Sequence, residues 1–352
     1  MRFSRKGMTL AKLTDDLCQT IVSASLNHLT GVVDRKGKFL YAHKAGDTET
    51  TYPGYNLLRH CGTLWFMTRA VNELPIEPDA PEIKTLARVA GYIGGKLEPT
   101  PWAAPVNPSL ALVSNDAVKV GGLGLALLAL SEAAKIPALR PQLDAGLPFP
   151  LPETLARMRQ YALDEIDGDD FRHKRDFLTG AVLPFRSDYY TGEAIFGLLM
   201  AGPTTDALTR ATTALMQRGY GWAEQSHWMA YASCEAIERS VVTEVLGRDY
   251  LTGLVTPILT VTAYRDRRES TPIACRSEAL SRILLLSRAR PGFLDADLMS
   301  RATAHLAADL ETQLDWYKDG QFWKGDTSDK VQIDYIQHNA TGFLQWLRLH
   351  RT

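Results

Sequence analysis

The sequence predicts an all-α protein, an (α/α)6 toroid with short β-hairpin excursions, and three observations carry that prediction. Most of the chain carries the 3.6-residue period of helices. Six of those helices are apolar on nearly every face and rich in glycine and alanine. They recur about every 60 residues, an interval that signals an internal supersecondary repeat. A helix that is apolar all round must be covered all round. Six such helices, most of them preceded by an amphipathic one, pack most simply as two concentric rings in one domain spanning residues 1–352.

The elements follow in order. Thr9 to Leu29 places Leu10, Leu13, Leu17, Ile21 and Leu26 near one stripe, and Gly31 ends that outer helix. Val32 to His43 then alternates around Arg35-Lys36-Gly37-Lys38 and reads as a short hairpin with Phe39 and Tyr41 on one face. The first inner helix opens at Tyr55-Asn56-Leu57-Leu58-Arg59-His60-Cys61-Gly62. Pro81 to Lys96 is outer, and the four prolines of Pro99 to Pro108 make a loop. The second inner helix opens at Val118-Lys119-Val120-Gly121-Gly122-Leu123-Gly124. Leu151 to Ile166 is outer, with Pro152 in its first turn. The third inner helix opens at Tyr189-Tyr190-Thr191-Gly192-Glu193-Ala194. Ala207 to Arg218 precedes the fourth, at Ser226-His227-Trp228-Met229-Ala230. The fifth begins near Pro272, and Asp295 to Leu314 precedes the sixth, which begins at Asp334. Strand excursions are expected at Val32 to His43, near Phe177 to Phe185 and near Gln321 to Val331.

Composition excludes several classes. Lys+Arg is 39 against Asp+Glu 40, a net charge of -1, so no basic field exists for a nucleic acid. The longest apolar run, Leu123 to Leu130, is far short of the ~20 residues that span a bilayer, so no membrane is expected. The N-terminus lacks a continuous hydrophobic segment with a small-residue cleavage site and does not read as a secretory signal. Cys18, Cys61, Cys234 and Cys275 are scattered singly, which suits reduced, buried thiols in a cytoplasmic protein. No phosphate loop and no G-x-S-x-G elbow occurs. Gly121-Gly122-Leu123-Gly124 reads as packing glycine with no strand before it. His60, Cys61, His227, Cys234, Cys275 and His338 fall on four inner helices, but no metal motif joins them. Neither a metal nor another cofactor is expected.

The segments Tyr55 to Gly62, Val118 to Leu130, Tyr189 to Leu199, Arg276 to Leu280 and Gln332 to Ala340 resemble the six-hairpin glycosidase-like superfamily. Within it the chain is similar to a bacterial group with a YN-LRH segment early, YY-GEA midway, then R-E-L and ID-QH late. Two departures are Cys61, where that pattern has a small residue, and the fourth helix, where Trp228 alone matches well. The superfamily holds glycoside hydrolases, uronyl hydrolases, lyases and epimerases. Its shape is shared by isoprenoid cyclases and zinc-dependent lanthionine cyclases. The resemblance therefore implies the fold more firmly than the reaction.

In such a toroid the inner helices run parallel and their first turns meet at one mouth. Tyr55, Asn56, Arg59 and His60 lie in the opening of one helix, and the planar, permanently charged fork of Arg59 suits a carboxylate, sulfate or phosphate. The structural alternative pairs Arg59 with Asp334 or Glu193. Glu193, on an apolar helix behind Tyr189 and Tyr190, is a candidate general acid, with the two rings as sugar-stacking candidates. The alternative for Glu193 is the favourable helix dipole at its own helix start. Arg276 and Glu278, two residues apart, face different ways. Asp334, Gln337 and His338 share a face at i, i+3 and i+4 and need partners, water or a ligand. Trp228 is either a sugar platform or plain core. The expected function is a glycoside hydrolase-like enzyme acting on an anionic, uronic-acid-type saccharide. Glu193 and Asp334 would be acid and base, His60 and His338 would assist, and Arg59 would hold the anionic group. Lyase, epimerase or cyclase chemistry in the same pocket is the alternative, followed by a toroid that only binds a glycan or partner.

Overall fold

A computed structural model describes residues 13–74, 80–102 and 108–351. Its first helix, α1 (Asp15–Gly31), starts behind Thr14, whose hydroxyl accepts the Leu17 amide. The expected start at Thr9 lies outside the described residues. Strands β1 (Ala42–Lys44) and β2 (Asp47–Thr51) lead to α2 (Leu57–Glu73), and α3 (Ala80–Gly94) follows. Next come β3 (Leu97–Pro99), β4 (Leu110–Ser114) and β5 (Ala117–Lys119), which runs straight into α4 (Val120–Ala133). After α5 (Arg140–Gly146) and α6 (Leu151–Asp164) come β6 (Ile166–Asp167), β7 (Asp170–Phe171) and β8 (Lys174–Asp176). The helices α7 (Tyr190–Met200), α8 (Asp206–Gln217), α9 (His227–Glu238), α10 (Glu244–Thr260), α11 (Ala263–Asp266), α12 (Ser270–Ala289) and α13 (Ala296–Gln313) follow in turn. Strands β9 (Tyr317–Lys318), β10 (Gln321–Gly325) and β11 (Ser328–Gln332) deliver the chain to α14 (Ile333–Arg351).

The fold is an (α/α)6 toroid. Among the described residues, α2, α4, α7, α9, α12 and α14 each pack on the next, and α14 returns to α2 to close the ring. Outside them, α1 covers α14 and α2, α3 covers α2, α6 covers α4, α8 and α10 cover α9, and α13 covers α12. The inner helices are apolar on all sides because both neighbours and an outer helix cover them; α4 is buried at every position from Val120 to Leu130. The chain alternates outer and inner helices, so the inner ones run the same way and open at one face.

That face carries two sheets. In one, the order β2-β1-β11-β10-β9 joins the early chain to the late chain, with Ala42 opposite Gln332. In the other, the order is β3-β4-β5-β8. Four sequence expectations are corrected here. The Val32 to His43 hairpin is reduced to one bridge, Val33 to Phe39, with Asp34 accepting the amides of Lys36 and Lys38; β1 pairs instead with β2, just after it, and with β11, far away in sequence. The strands β3 to β5 were not anticipated, and β5 does precede the glycine run of α4. That run still serves packing, since its glycines face α7 and Leu58. Helix α10 escapes a periodicity search because Gly247, Gly253 and Pro257 interrupt its pattern. Finally, Cys18, Cys61 and Cys234 are buried free thiols, whereas Cys275 is half-buried.

Candidate functional site

The first turns of α12 and α14 and the segments leading into α7 and α9 border a cleft of about 510 Å³, lined among others by Tyr189, Gln225, Tyr264, Cys275, Arg276 and Tyr335. Its position follows from local signals. Ser226 caps α9 by accepting the Met229 amide, which puts His227 in the first turn. Gln225 sits just before it in the left-handed region, at φ 53°. That costly conformation is held by its amide, which donates to the carbonyls of Pro257 and Val261 and accepts Arg276 Nε at 2.8 Å. Arg276 also donates to the carbonyls of Pro272 and Glu224, and its guanidinium lies 4.9 Å from the Tyr264 ring centre.

Below the rim, His227 and His338 meet edge to face with ring centres 5.1 Å apart. His227 is 3% exposed, and its Nε2 has no hydrogen-bond partner among the described residues. Burial first, then the neighbouring His338 and Arg276, push its pKa well below the ordinary histidine value, so it is neutral. His338 is different. Its Nδ1 lies 2.6 Å from Glu278 Oε1. Glu278 is fully buried and accepts a second bond from the Tyr231 hydroxyl at 2.8 Å. Tyr231 accepts in turn from Gln345, whose side-chain oxygen accepts from Ser281. This chain fixes the His338 ring and leaves its Nε2 as the free nitrogen.

The axis is plugged underneath. Trp65 contacts Trp228, Tyr231 and Phe196, and Phe196 stacks on Tyr231 at 5.2 Å. Trp228 is 4% exposed and 5.7 Å from Trp65, so it is part of this floor and reaches the cleft only past His227. Beyond this floor, charged groups line a second cavity of about 240 Å³, including the ion pairs Arg69–Glu73 and Arg282–Glu238.

The remaining candidates are distributed as follows. Arg59 Nε pairs with Asp334 Oδ2 at 3.0 Å, and its Nη1 donates to Tyr41 at 2.7 Å. Asp334 accepts a second bond from Gln332 at 2.6 Å, so both its oxygens are occupied. This is the pairing named above as the structural alternative, and it ties the first inner helix to the last. Gln337 faces Gly62 of α2, while His338 faces the opposite neighbour, so the i, i+3, i+4 set divides between two seams. His60 is turned outward. Its Nε2 donates to the Val89 carbonyl at 3.0 Å, and its Nδ1 accepts from Tyr55 at 2.7 Å; Tyr55 accepts the Phe39 amide. Both nitrogens are thus used in packing α2 to α3, and burial lowers the His60 pKa to about 4. Asn56 caps α2 by accepting the amides of Leu58 and Arg59. Tyr190 is buried against His173 and Phe185, whereas Tyr189 is 47% exposed with its ring 6.1 Å from His227.

Glu193 stands apart from Arg59 and Asp334. It lies in the α4–α7 seam beside Gly121, and its buried Oε2 has no partner among the described residues. Burial pushes its pKa up to about 8. The structure thus brings together His227, His338, Glu278, Tyr189, Cys275 and Arg276. Arg59 and Asp334 pair with each other, while Glu193 lies in the α4–α7 seam. Tyr231 and Gln225 were missed by sequence reasoning: one looks like core and the other like a loop residue. The signal for His227 was present, a histidine opening an apolar helix.

No protein-family model matches the chain, and no curated protein sequence does either. Two solved structures share the whole architecture. One is described as D-mannose isomerase, 11% identical over 95% of this chain and 98% of its own, with a TM-score of 0.61. The other is a sugar epimerase from a ruminal bacterium, 10% identical over 96% and 99%, with a TM-score of 0.63. At such identity the likeness is one of fold, and both are six-hairpin toroids like this chain.

Proposed function

We propose that this protein is a sugar-processing enzyme that moves a proton between adjacent carbons of a reducing sugar, as an isomerase or epimerase does. One observation carries the reading: His227 and His338 face each other beneath an open cleft, one with an unpartnered nitrogen and the other braced by Glu278. That is an acid–base pair with distinct environments. One imidazole takes the proton on the carbon next to the open-chain carbonyl. The C–H electron pair forms the carbon–carbon double bond of an enediolate, and the carbonyl π pair moves onto its oxygen. Passing the proton of the neighbouring hydroxyl to the former carbonyl oxygen and returning a proton to the former carbonyl carbon, so that the neighbouring C–O becomes the new carbonyl, isomerises the sugar. Returning the proton to the opposite face of the first carbon, with the carbonyl re-formed, inverts that centre. Arg276 and Tyr189 line the cleft and are the groups to hold the developing oxyanion and the sugar ring. The names of the two similar structures, a sugar isomerase and a sugar epimerase, agree with this chemistry.

Hydrolysis by paired carboxylates has weaker support. Asp334 is spent on Arg59 and Gln332, Glu278 on His338 and Tyr231, and Glu193 is enclosed. The cleft also mixes Asp188, Glu224 and Glu269 with Arg267, Arg276 and Lys324, which gives no bias toward an anionic saccharide. A neutral monosaccharide or short oligosaccharide suits it better.

The test is proton exchange. Mannose, glucose, galactose and cellobiose are incubated with the protein in D2O, and proton NMR follows the signal at carbon 2. The expected outcome is enzyme-dependent loss of that signal for at least one sugar, reduced by about 100-fold or more in His227→Asn and His338→Asn. No exchange with any of the four sugars, together with release of reducing ends from uronic-acid oligosaccharides, would return the assignment to a hydrolase.

A further inference from the structure

The two histidines have a third neighbour that proton transfer does not use. Cys275, from α12, lies between them in the ring, and the ligand-capable atoms of His227, Cys275 and His338 all lie within 4.8 Å of one another. Two imidazoles and a thiol are the donor set that zinc-like cations prefer. Three further observations give the cluster the character of a site. The Nε2 of His227 is buried and unpartnered, a state that costs free energy unless something occupies it. Glu278 binds the Nδ1 side of His338, so the nitrogen left free is Nε2; a carboxylate behind a histidine in this way orients metal-bound histidines and strengthens their basicity. Cys275 lines the cleft, so a cation held here would keep a coordination position open to solvent or ligand.

The geometry points to a three-ligand site for a soft divalent cation, formed by His227, Cys275 and His338, whose occupation blocks the proton transfer proposed above. Binding displaces the thiol proton of Cys275 to solvent and takes the lone pair of each imidazole, so neither histidine remains able to accept a proton. The blocking clause rests on the isomerase or epimerase reading; the metal site itself does not. Sequence gave no motif for it because the three ligands come from three separate helices, at positions 227, 275 and 338.

Cobalt(II) tests it directly on the full chain, purified in chelator and then dialysed free of it. One equivalent should produce a thiolate-to-cobalt charge-transfer band in the near ultraviolet and strong visible bands of four-coordinate cobalt. Zinc should erase both. Cys275→Ser should lose the charge-transfer band, and His227→Asn should weaken binding at least tenfold, with circular dichroism confirming that both variants fold. No band at one equivalent, or a band unchanged in Cys275→Ser, overturns the site. For the blocking clause, carbon-2 exchange of the responsive sugar should fall in step with zinc occupancy. Each protein is compared with itself plus and minus zinc, and the ratio should approach one in Cys275→Ser. Full occupancy with exchange undiminished overturns that clause. A cobalt band with no sugar exchange in metal-free protein overturns the proton-transfer reading and leaves the metal site standing.

Discussion

A buried carboxyl group with an oxygen that has no hydrogen-bond partner is costly in its charged form, and Glu193, through its Oε2, is such a group among the described residues. Burial lifts its pKa from 4.5 to about 8, so near neutral pH the folded chain holds a proton there that the unfolded chain has released. The contribution to stability is therefore full below pH 4.5 and is lost as the pH rises to about 8. Glu193→Gln keeps the shape and removes the titration. Melting temperatures of the two proteins should diverge between about pH 5 and 8, the wild type losing ground as pH rises; parallel curves would show that Glu193 is already ionised in the fold. The buried acid was recognisable in sequence, from its place on a glycine- and alanine-rich helix. Its isolation was not, because the nearest polar groups belong to other helices. Asp334 shows the converse. Its i, i+4 neighbour His338 was visible, yet it is Arg59 and Gln332, one from another helix, that occupy its oxygens.

Between elements, the tightest contact in the inner ring is that of α4 with α7. A Cβ added at Gly197 would lie 2.3 Å from the Gly124 carbonyl oxygen, and one at Gly124 would lie 2.3 Å from the Glu193 carbonyl oxygen. Backbone cannot step aside as a side chain can, so these two helices touch only because both residues lack a side chain. Gly197→Ala should cost about 1–3 kcal/mol or more in urea unfolding. Gly31→Ala is the control: nothing lies within 4 Å of its added Cβ, and stability should stay within about 0.5 kcal/mol of wild type. Equal losses in the two variants would mean that approach distance does not set the effect. This contact was legible as a class of residue but not as a pair. Glycine in an apolar helix announces close packing; which helix comes close depends on how each rod is rotated about its own axis.

At the scale of the whole molecule, four histidines besides His227 (His28, His60, His173 and His305) are packed as neutral groups in different parts of the ring. His28 and His43 meet at 3.2 Å between α1 and β1, His60 joins α2 to α3, His173 bonds Thr191, and His305 bonds Tyr264. Burial is the leading cause that lowers His28, His60, His173 and His305 to about 4 each. Groups depressed in the fold stabilise it above their ordinary value of 6.5 and lose that contribution as pH falls toward 4. Glu193 and Asp309, raised to about 8 and about 6, and Glu165, also raised by burial, act in the opposite sense but are fewer. The melting temperature should therefore drop steadily as pH is lowered from about 6.5 to about 4. A flat profile across that range would mean that these imidazoles are already solvated in the native state. By itself, the sequence determined the rods: where the six inner helices begin, that they are buried, and that alternation with outer helices points them one way. Those properties follow from periodicity and side-chain size, which are local. Only the tertiary structure decided which polar residues look into the axis. That choice depends on the rotation of each helix against two neighbours, and it set His227 opposite His338 while sending His60 outward and closing Glu193 in a seam.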